Sequence, residues 1–327
     1  MRSDIAEAPL ILADQEGIDE AARILRAGGL VAFPTETVYG LGADATSEAT
    51  VRRIYAAKGR PSFNPLIAHV SGLAEAREQG VFSDEAVRLA EAFWPGPLTL
   101  VAPLSPRATV CALARAGLDS IALRAPAHPV ALGLISAVGR PLAAPSANRS
   151  GRVSPVTAAH VAQDLGGRVD LILDGGPCSV GVESTIISCL DGRLRLLRPG
   201  GIARSAIEAV LGFSLAEPSA SGEILSPGAL ASHYAPRAKL RLEATNLEAD
   251  EAGLDFGGRF RLSANVRDLS PRGDLAEAAA NLFAFLRELD ALGPSRIAVA
   301  PIPRRGLGEA INDRLNRAAA PRTSELQ

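Results

Sequence analysis

Between residues 17 and 27 the apolar positions Ile18, Ala21, Ala22 and Leu25 fall three or four apart, and Gly28-Gly29 breaks the pattern ahead of the apolar run 30–33. Helix, turn and buried strand are predicted. A second helix is predicted over 48–57, capped by Thr46 or Ser47, with Val51, Ile54 and Tyr55 inward. Residues 58–64 form a loop, and Pro65 leads into a short strand at 66–70. Ser83, Asp84 and Glu85 start a third helix, since a capping hydroxyl and negative charge suit a helix N-terminus; Trp94-Pro95-Gly96-Pro97 ends it before a strand at 98–102. Further strands are predicted at 120–124, 141–144, 171–173, 185–188 and 194–197, and helices at 130–138, 157–165 and 205–211. The elements do not alternate strictly, and Asp191-Gly192 reads as a hairpin turn between the last two strands, so a mixed sheet is expected.

Periodicity disappears at 213–225, where Pro218, Ser219, Ser221 and Gly222 collect as in a linker. Beyond it the pattern is strand (239–243), strand (260–264), helix (275–292), strand (296–300) and helix (307–318), a smaller α/β unit. The expected division is a first domain of 1–212, a linker of 213–237 and a C-terminal domain of 238–327. A length of 327 residues fits two cores rather than one, and 47% hydrophobic with 21% charged residues excludes wholesale disorder. The net charge of −2 supplies no global field to attract nucleic acid. Cys111, Cys178 and Cys189 contain no CxxC pair, which suggests reduced thiols rather than disulfides or a zinc site. Asp4 and Glu7 interrupt any leader-like core and no run of about 18 apolar residues follows, so a soluble, cytoplasmic chain without membrane contact is expected.

Of the 34 basic residues 32 are Arg; the two exceptions are Lys58 and Lys239. Lys58-Gly59-Arg60-Pro61 closes a predicted helix, and a helix end alone accounts for the charge, the Gly and the Pro. Arg would serve there equally, so the compact ammonium suggests a point charge that follows phosphates. Pro145-Ser146-Ala147-Asn148 follows a strand end: it is sufficient as a turn, and as a site it offers neutral donors to a phosphate or nucleotide. Residues 33–42 place Thr35, Thr37, Gly40 and Gly42 after the first buried strand, which suits a backbone that approaches a ligand, although Thr is also at home in strands. His69 interrupts an apolar strand as a core imidazole or a ligand contact, while Arg124 and Arg198 end strands with forks that can hold a carboxylate or phosphate. No GxxxxGK[ST], no GxGxxG after the first strand, no HExxH and no GxSxG occurs, which removes the P-loop, dinucleotide, zincin and hydrolase-elbow readings.

Residues 33–42, Lys58-Gly59-Arg60-Pro61 with Asn64, Ser146-Ala147-Asn148 and Gly181-Val182-Glu183-Ser184-Thr185 together resemble the YrdC family, in the family's order. Ser226-Pro227-Gly228 and His233-Tyr234-Ala235-Pro236 resemble its long form. The resemblance implies an α/β fold: a YrdC-like twisted open mixed sheet with flanking helices, plus a smaller Rossmann-like C-terminal domain. It implies a nucleotidyltransferase that makes L-threonylcarbamoyladenylate from L-threonine, bicarbonate or CO₂ and ATP, releasing pyrophosphate, as the first step toward N6-threonylcarbamoyladenosine in tRNA. By resemblance, Lys58, Arg60, Asn64, Ser120, Ser146, Asn148, Ser154, Arg198 and Tyr234 bind ATP, with Lys58 and Arg60 offsetting charge on the leaving pyrophosphate. Thr35 or Thr37, with His69, Arg124 and Ser184, hold threonine. Mg²⁺ is expected to arrive with the nucleotide and not on protein ligands. Residues 226–236 are expected either to fold over the nucleotide as a lid or to anchor the linker through Tyr234. Implied partners are the downstream tRNA threonylcarbamoyl-transfer proteins, with weak contact to tRNA or double-stranded RNA. A carbamoyl-transfer domain of the hydrogenase-maturation type resembles the same fold but adds zinc-finger cysteine pairs and an acylphosphatase segment, which have no counterpart in this sequence.

Overall fold

A computed structural model describes residues 7–216 and 233–321. The first part runs β1 (Leu10–Leu12), α1 (Gln15–Arg26), β2 (Val31–Phe33), β3 (Gly40–Asp44), α2 (Glu48–Lys58), β4 (Ile67–His69), α3 (Leu73–Gln79), α4 (Asp84–Phe93), β5 (Leu98–Pro103), β6 (Ser120–Arg124), α5 (Pro129–Val138), β7 (Leu142–Ala143), α6 (Ala158–Leu165), β8 (Leu171–Asp174), β9 (Thr185–Ser188), β10 (Arg195–Arg198) and α7 (Arg204–Leu211). The second runs β11 (Lys239–Arg241), β12 (Glu251–Asp255), β13 (Val266–Asp268), α8 (Leu275–Ala291), β14 (Arg296–Val299) and α9 (Leu307–Ala319).

Ten strands form one mixed sheet in the order β1-β8-β2-β3-β7-β4-β6-β5-β9-β10, as the irregular alternation of elements predicts. The expected hairpin is present, with β9 and β10 antiparallel around Asp191-Gly192. The second sheet, β11-β14-β12-β13, is parallel throughout.

Two departures from the sequence reading have clear causes. Gly40 and Gly42 belong to a strand, β3, antiparallel to β2; a Cβ on Gly42 would lie 2.7 Å from the Phe33 ring, so this glycine makes room for a neighbouring side chain and not for a ligand. In the C-terminal part, 260–264 is not a strand. Phe260 is buried from a loop whose backbone is gathered by Asp255, which accepts from Phe256 N, Arg259 N and Phe260 N. The strand lies earlier, in β12, disguised by Glu251, whose buried carboxylate is paired with Arg241. Residues 226–228 lie outside the described residues, whereas 233–236 lie within them.

The two parts share a hydrophobic core, in which Val156 and Val182 join Leu282 and Phe283 of α8. At their seam α8 passes over Gly181, where φ is +75° and a Cβ would sit 2.4 Å from Ala279 O, so only glycine allows this approach. Polar links cross it as well: Arg287 reaches Val153 O and Asp164, and Arg204 pairs with Glu309 at 2.7 Å.

Candidate active site

Ser47 caps α2 by accepting from Thr50 N, and Gly59, at φ +60°, lets the chain leave in the left-handed conformation. That exit turns Lys58 inward until only 2% of it is exposed, and its Nζ donates to Ser146 O and Asn148 O, each at 2.5 Å. Lys58 therefore stands behind the Ser146–Asn148 turn, with one N–H left over. Burial, and then Arg60, holds its ammonium well below the usual lysine range. Arg60 donates to Asn64 O at 3.3 Å and Pro65 O at 3.0 Å, and burial pushes it down to about 10. Asn148 Nδ2 donates to Arg149 O and Arg152 O, both at 2.9 Å, while the side-chain oxygens of Asn64 and Asn148 are buried acceptors without partners.

The opposite wall is built around Arg124 at the end of β6. Its Nη2 lies 2.7 Å from Glu36 Oε1, both groups buried, and its Nη1 donates to Thr37 Oγ1 at 2.9 Å. Thr35 spends its hydroxyl proton on Val38 O, so the 2.8 Å bond between the two hydroxyls is donated by Thr37. Thr37 can then only accept from a ligand, which makes it a receptor for an ammonium or hydroxyl. His69 stands in the same wall, its imidazole pushed down to about 3 by burial and then by Arg124, so it is neutral at physiological pH.

The seam supplies the third wall. Ser184 Oγ lies 2.7 Å from Thr99 Oγ1 and accepts from Arg198 Nη2 at 3.2 Å. Glu183 accepts from Ser154 Oγ at 2.6 Å and from Arg314 Nε, in α9, at 2.7 Å. Burial alone would raise the Glu183 carboxyl, but Arg314, Arg198 and Ser154 lower it below the ordinary range. Tyr234, at φ +63°, is stacked on Phe283 with ring centroids 5.6 Å apart.

Thr37, Arg60, His69, Arg124, Ser146, Ser184, Arg198 and Tyr234 thus line one cleft, joined by Glu183 and His233. Lys58, Asn64, Asn148, Ser154 and Thr35 support its walls from behind. Ser120 opens β6 opposite Pro103 and is not among the lining residues. Glu36, Thr99 and Arg314 carry no sequence-based expectation. Arg314 was nevertheless legible as an oddity: it interrupts the buried stripe Ile311, Leu315, Ala318 of an otherwise amphipathic helix.

Residues 23–200 match the family model Sua5_yciO_yrdC, described as telomere recombination, and residues 202–320 match Sua5_C, described as the C-terminal domain of threonylcarbamoyl-AMP synthase. The chain belongs to the Sua5–YciO–YrdC family. It has the family's long, Sua5-type form. A threonylcarbamoyl-AMP synthase of Bacillus subtilis is 43% identical over 330 residues, covering 93% of each chain. Another, from Pyrococcus abyssi, is 41% identical over 96% of this chain and 98% of its own length. The crystal structure of P. abyssi Sua5 complexed with L-threonine matches with a TM-score of 0.87 and 38% identity, over 96% of this chain and 97% of that one. Among the described residues of this Sua5-type chain, no helix is long and apolar enough to cross a membrane.

Two buried imidazoles give this family member a pH signature. His69 and His233 are both pushed down to about 3 from an ordinary 6.5, chiefly by burial. As the pH falls below the ordinary value, the unfolded chain takes up protons that the folded one refuses. Stability present above that value is therefore lost toward acid, by up to about 1.4 kcal/mol per pH unit for each imidazole. Unfolding midpoints measured from neutrality down to about pH 5 should fall, and His69→Gln and His233→Gln should each flatten the slope. A variant with an unaltered slope would contradict the assignment for that residue.

Proposed function

We propose that this protein synthesises L-threonylcarbamoyladenylate from L-threonine, bicarbonate or CO₂ and ATP. The observation that carries the reading is the match, over nearly the full length of both chains, to the structure of a Sua5 complexed with L-threonine. The amine of threonine adds to CO₂ to give a carbamate. A carbamate oxygen then attacks the α-phosphorus, the bond to the bridging oxygen of the β-phosphate breaks, and pyrophosphate leaves. Because the nucleophile belongs to the substrate, the protein's task is orientation and charge, which fits a cleft of arginines and hydroxyls.

In this reading Arg124 holds the α-carboxylate of threonine, Thr37 accepts from its amine or hydroxyl, and Ser184 and the neutral His69 complete that half of the site. Arg60, Arg198, Ser146 and Tyr234 face the nucleotide, with Lys58, Asn64, Asn148 and Ser154 behind them. Glu183 in the cleft and Glu36 behind Arg124 are already paired with Arg314 and Arg124, so Mg²⁺ would be carried by the phosphates and neutralise their charge. The product is a mixed anhydride suited to a later acyl transfer onto tRNA. Three free cysteines accord with work in a reducing cytoplasm.

The test is incubation with ATP, labelled bicarbonate and each amino acid in turn, with detection of pyrophosphate and a labelled acyl-adenylate. Formation with threonine alone is expected. Pyrophosphate release that ignores threonine or bicarbonate would overturn the reading.

A further inference from the structure

Glu183 lines the cleft, and a bare carboxylate there would repel a triphosphate. Its charge is met from the other part of the chain. Arg314, 131 residues away in sequence and with no exposed surface, places Nε 2.7 Å from Glu183 Oε2. The same guanidinium lies 5.2 Å from the centre of the Tyr234 ring, which Phe283 of α8 also stacks against. Its Nη1 donates to Asp313 at 2.5 Å, and its Nη2 is buried without a partner. The second oxygen of Glu183 accepts from Ser154, so one residue of α9 acts on a carboxylate and, through it, a hydroxyl of the first part, and on the ring of Tyr234, which lines the same cleft.

We propose that Arg314 is a positioning residue of the nucleotide site, supplied by the C-terminal domain: it cancels the charge of Glu183 beside the triphosphate and fixes Tyr234 against the nucleotide. The inference rests on the functional reading above for the identity of the nucleotide. A purely structural rivet across the seam would look similar in the folded protein, but it would behave differently when Glu183 is neutralised. Once Arg314 is gone, the larger defect at the site is an unbalanced negative charge, and removing that charge should repair most of the damage.

The experiment uses the full-length protein, with ATP affinity measured by calorimetry and Michaelis constants by pyrophosphate release. Arg314→Ala is expected to weaken ATP binding by ~10-fold or more, while the threonine KM stays within about 3-fold. Combining it with Glu183→Gln is expected to recover most of the lost affinity, a coupling that independent sites do not show. Unchanged ATP affinity in Arg314→Ala, or no recovery in the double variant, overturns the proposal. Should Arg314→Ala not fold, Arg314→Lys takes its place; its shorter reach leaves Glu183 partly unpaired, and the expected loss is smaller but again repaired by Glu183→Gln. No loss in Arg314→Lys, or a loss that Glu183→Gln does not repair, is then the contrary result. Because affinity is read without turnover, a wild-type protein that binds ATP yet releases no pyrophosphate with threonine and bicarbonate defeats the functional reading alone.

Discussion

Lys58→Ala should lower pyrophosphate release by at least ~10²-fold, the scale on which a single preorganised electrostatic group contributes to a rate. Two losses combine in that figure. The ammonium stands directly behind the Ser146–Asn148 turn, so its removal takes positive charge from beside the proposed triphosphate. It also strips a half-buried carbonyl and a buried one of their donor, at about 1–3 kcal/mol for the buried one, and frees the turn to move. Lys58→Arg should fail nearly as badly. A single nitrogen fits between two carbonyls that each approach to 2.5 Å, whereas a planar fork is longer and wider than the space. Single-turnover pyrophosphate release, with circular dichroism to confirm folding, checks both variants; near-normal turnover in folded Lys58→Ala would refute the role.

Arg124→Ala should raise the threonine KM by ~10²-fold or more, since truncating one partner of a buried, hydrogen-bonded charge pair costs about 2–5 kcal/mol. It should also lower stability by about 3–5 kcal/mol, because Glu36 is left as a buried charge without its partner. The two effects separate in the double variant with Glu36→Gln, which should regain stability and not threonine affinity. Equal recovery of both would mean that Arg124 only holds the fold. The ATP affinity serves as the internal control and should move little.

Most strands and helices were legible because each carries its own periodicity, and the hairpin around Asp191-Gly192 was written in its turn residues. What escaped was contextual. β3 reads as a glycine-rich loop until Phe33 is placed against Gly42, and β12 looks polar until Arg241 covers Glu251. The same holds for the site. Arg60, Arg124, Arg198 and Ser146 announce themselves at strand and helix ends, and the structure brings them into one cleft. Whether Thr35 or Thr37 faces a ligand depends on where one proton goes, and that is set by Val38 O, which no spacing reveals. Lys58 is one of two Lys beside 32 Arg, and the narrow gap between two carbonyls explains why it is not Arg. Lys239 remains an exposed residue at the start of β11 that nothing in the structure explains.

The bond between Glu183 and Arg314 also has a bearing on how the protein is made. A ribosome adding about 5–20 residues per second delivers the arginine roughly 7–26 s after the glutamate it neutralises. For that interval the sheet can assemble around a cleft that still carries an uncovered negative charge. If the cleft takes nucleotide as proposed, the nascent chain is thereby biased against capturing it until α9 has emerged and docked.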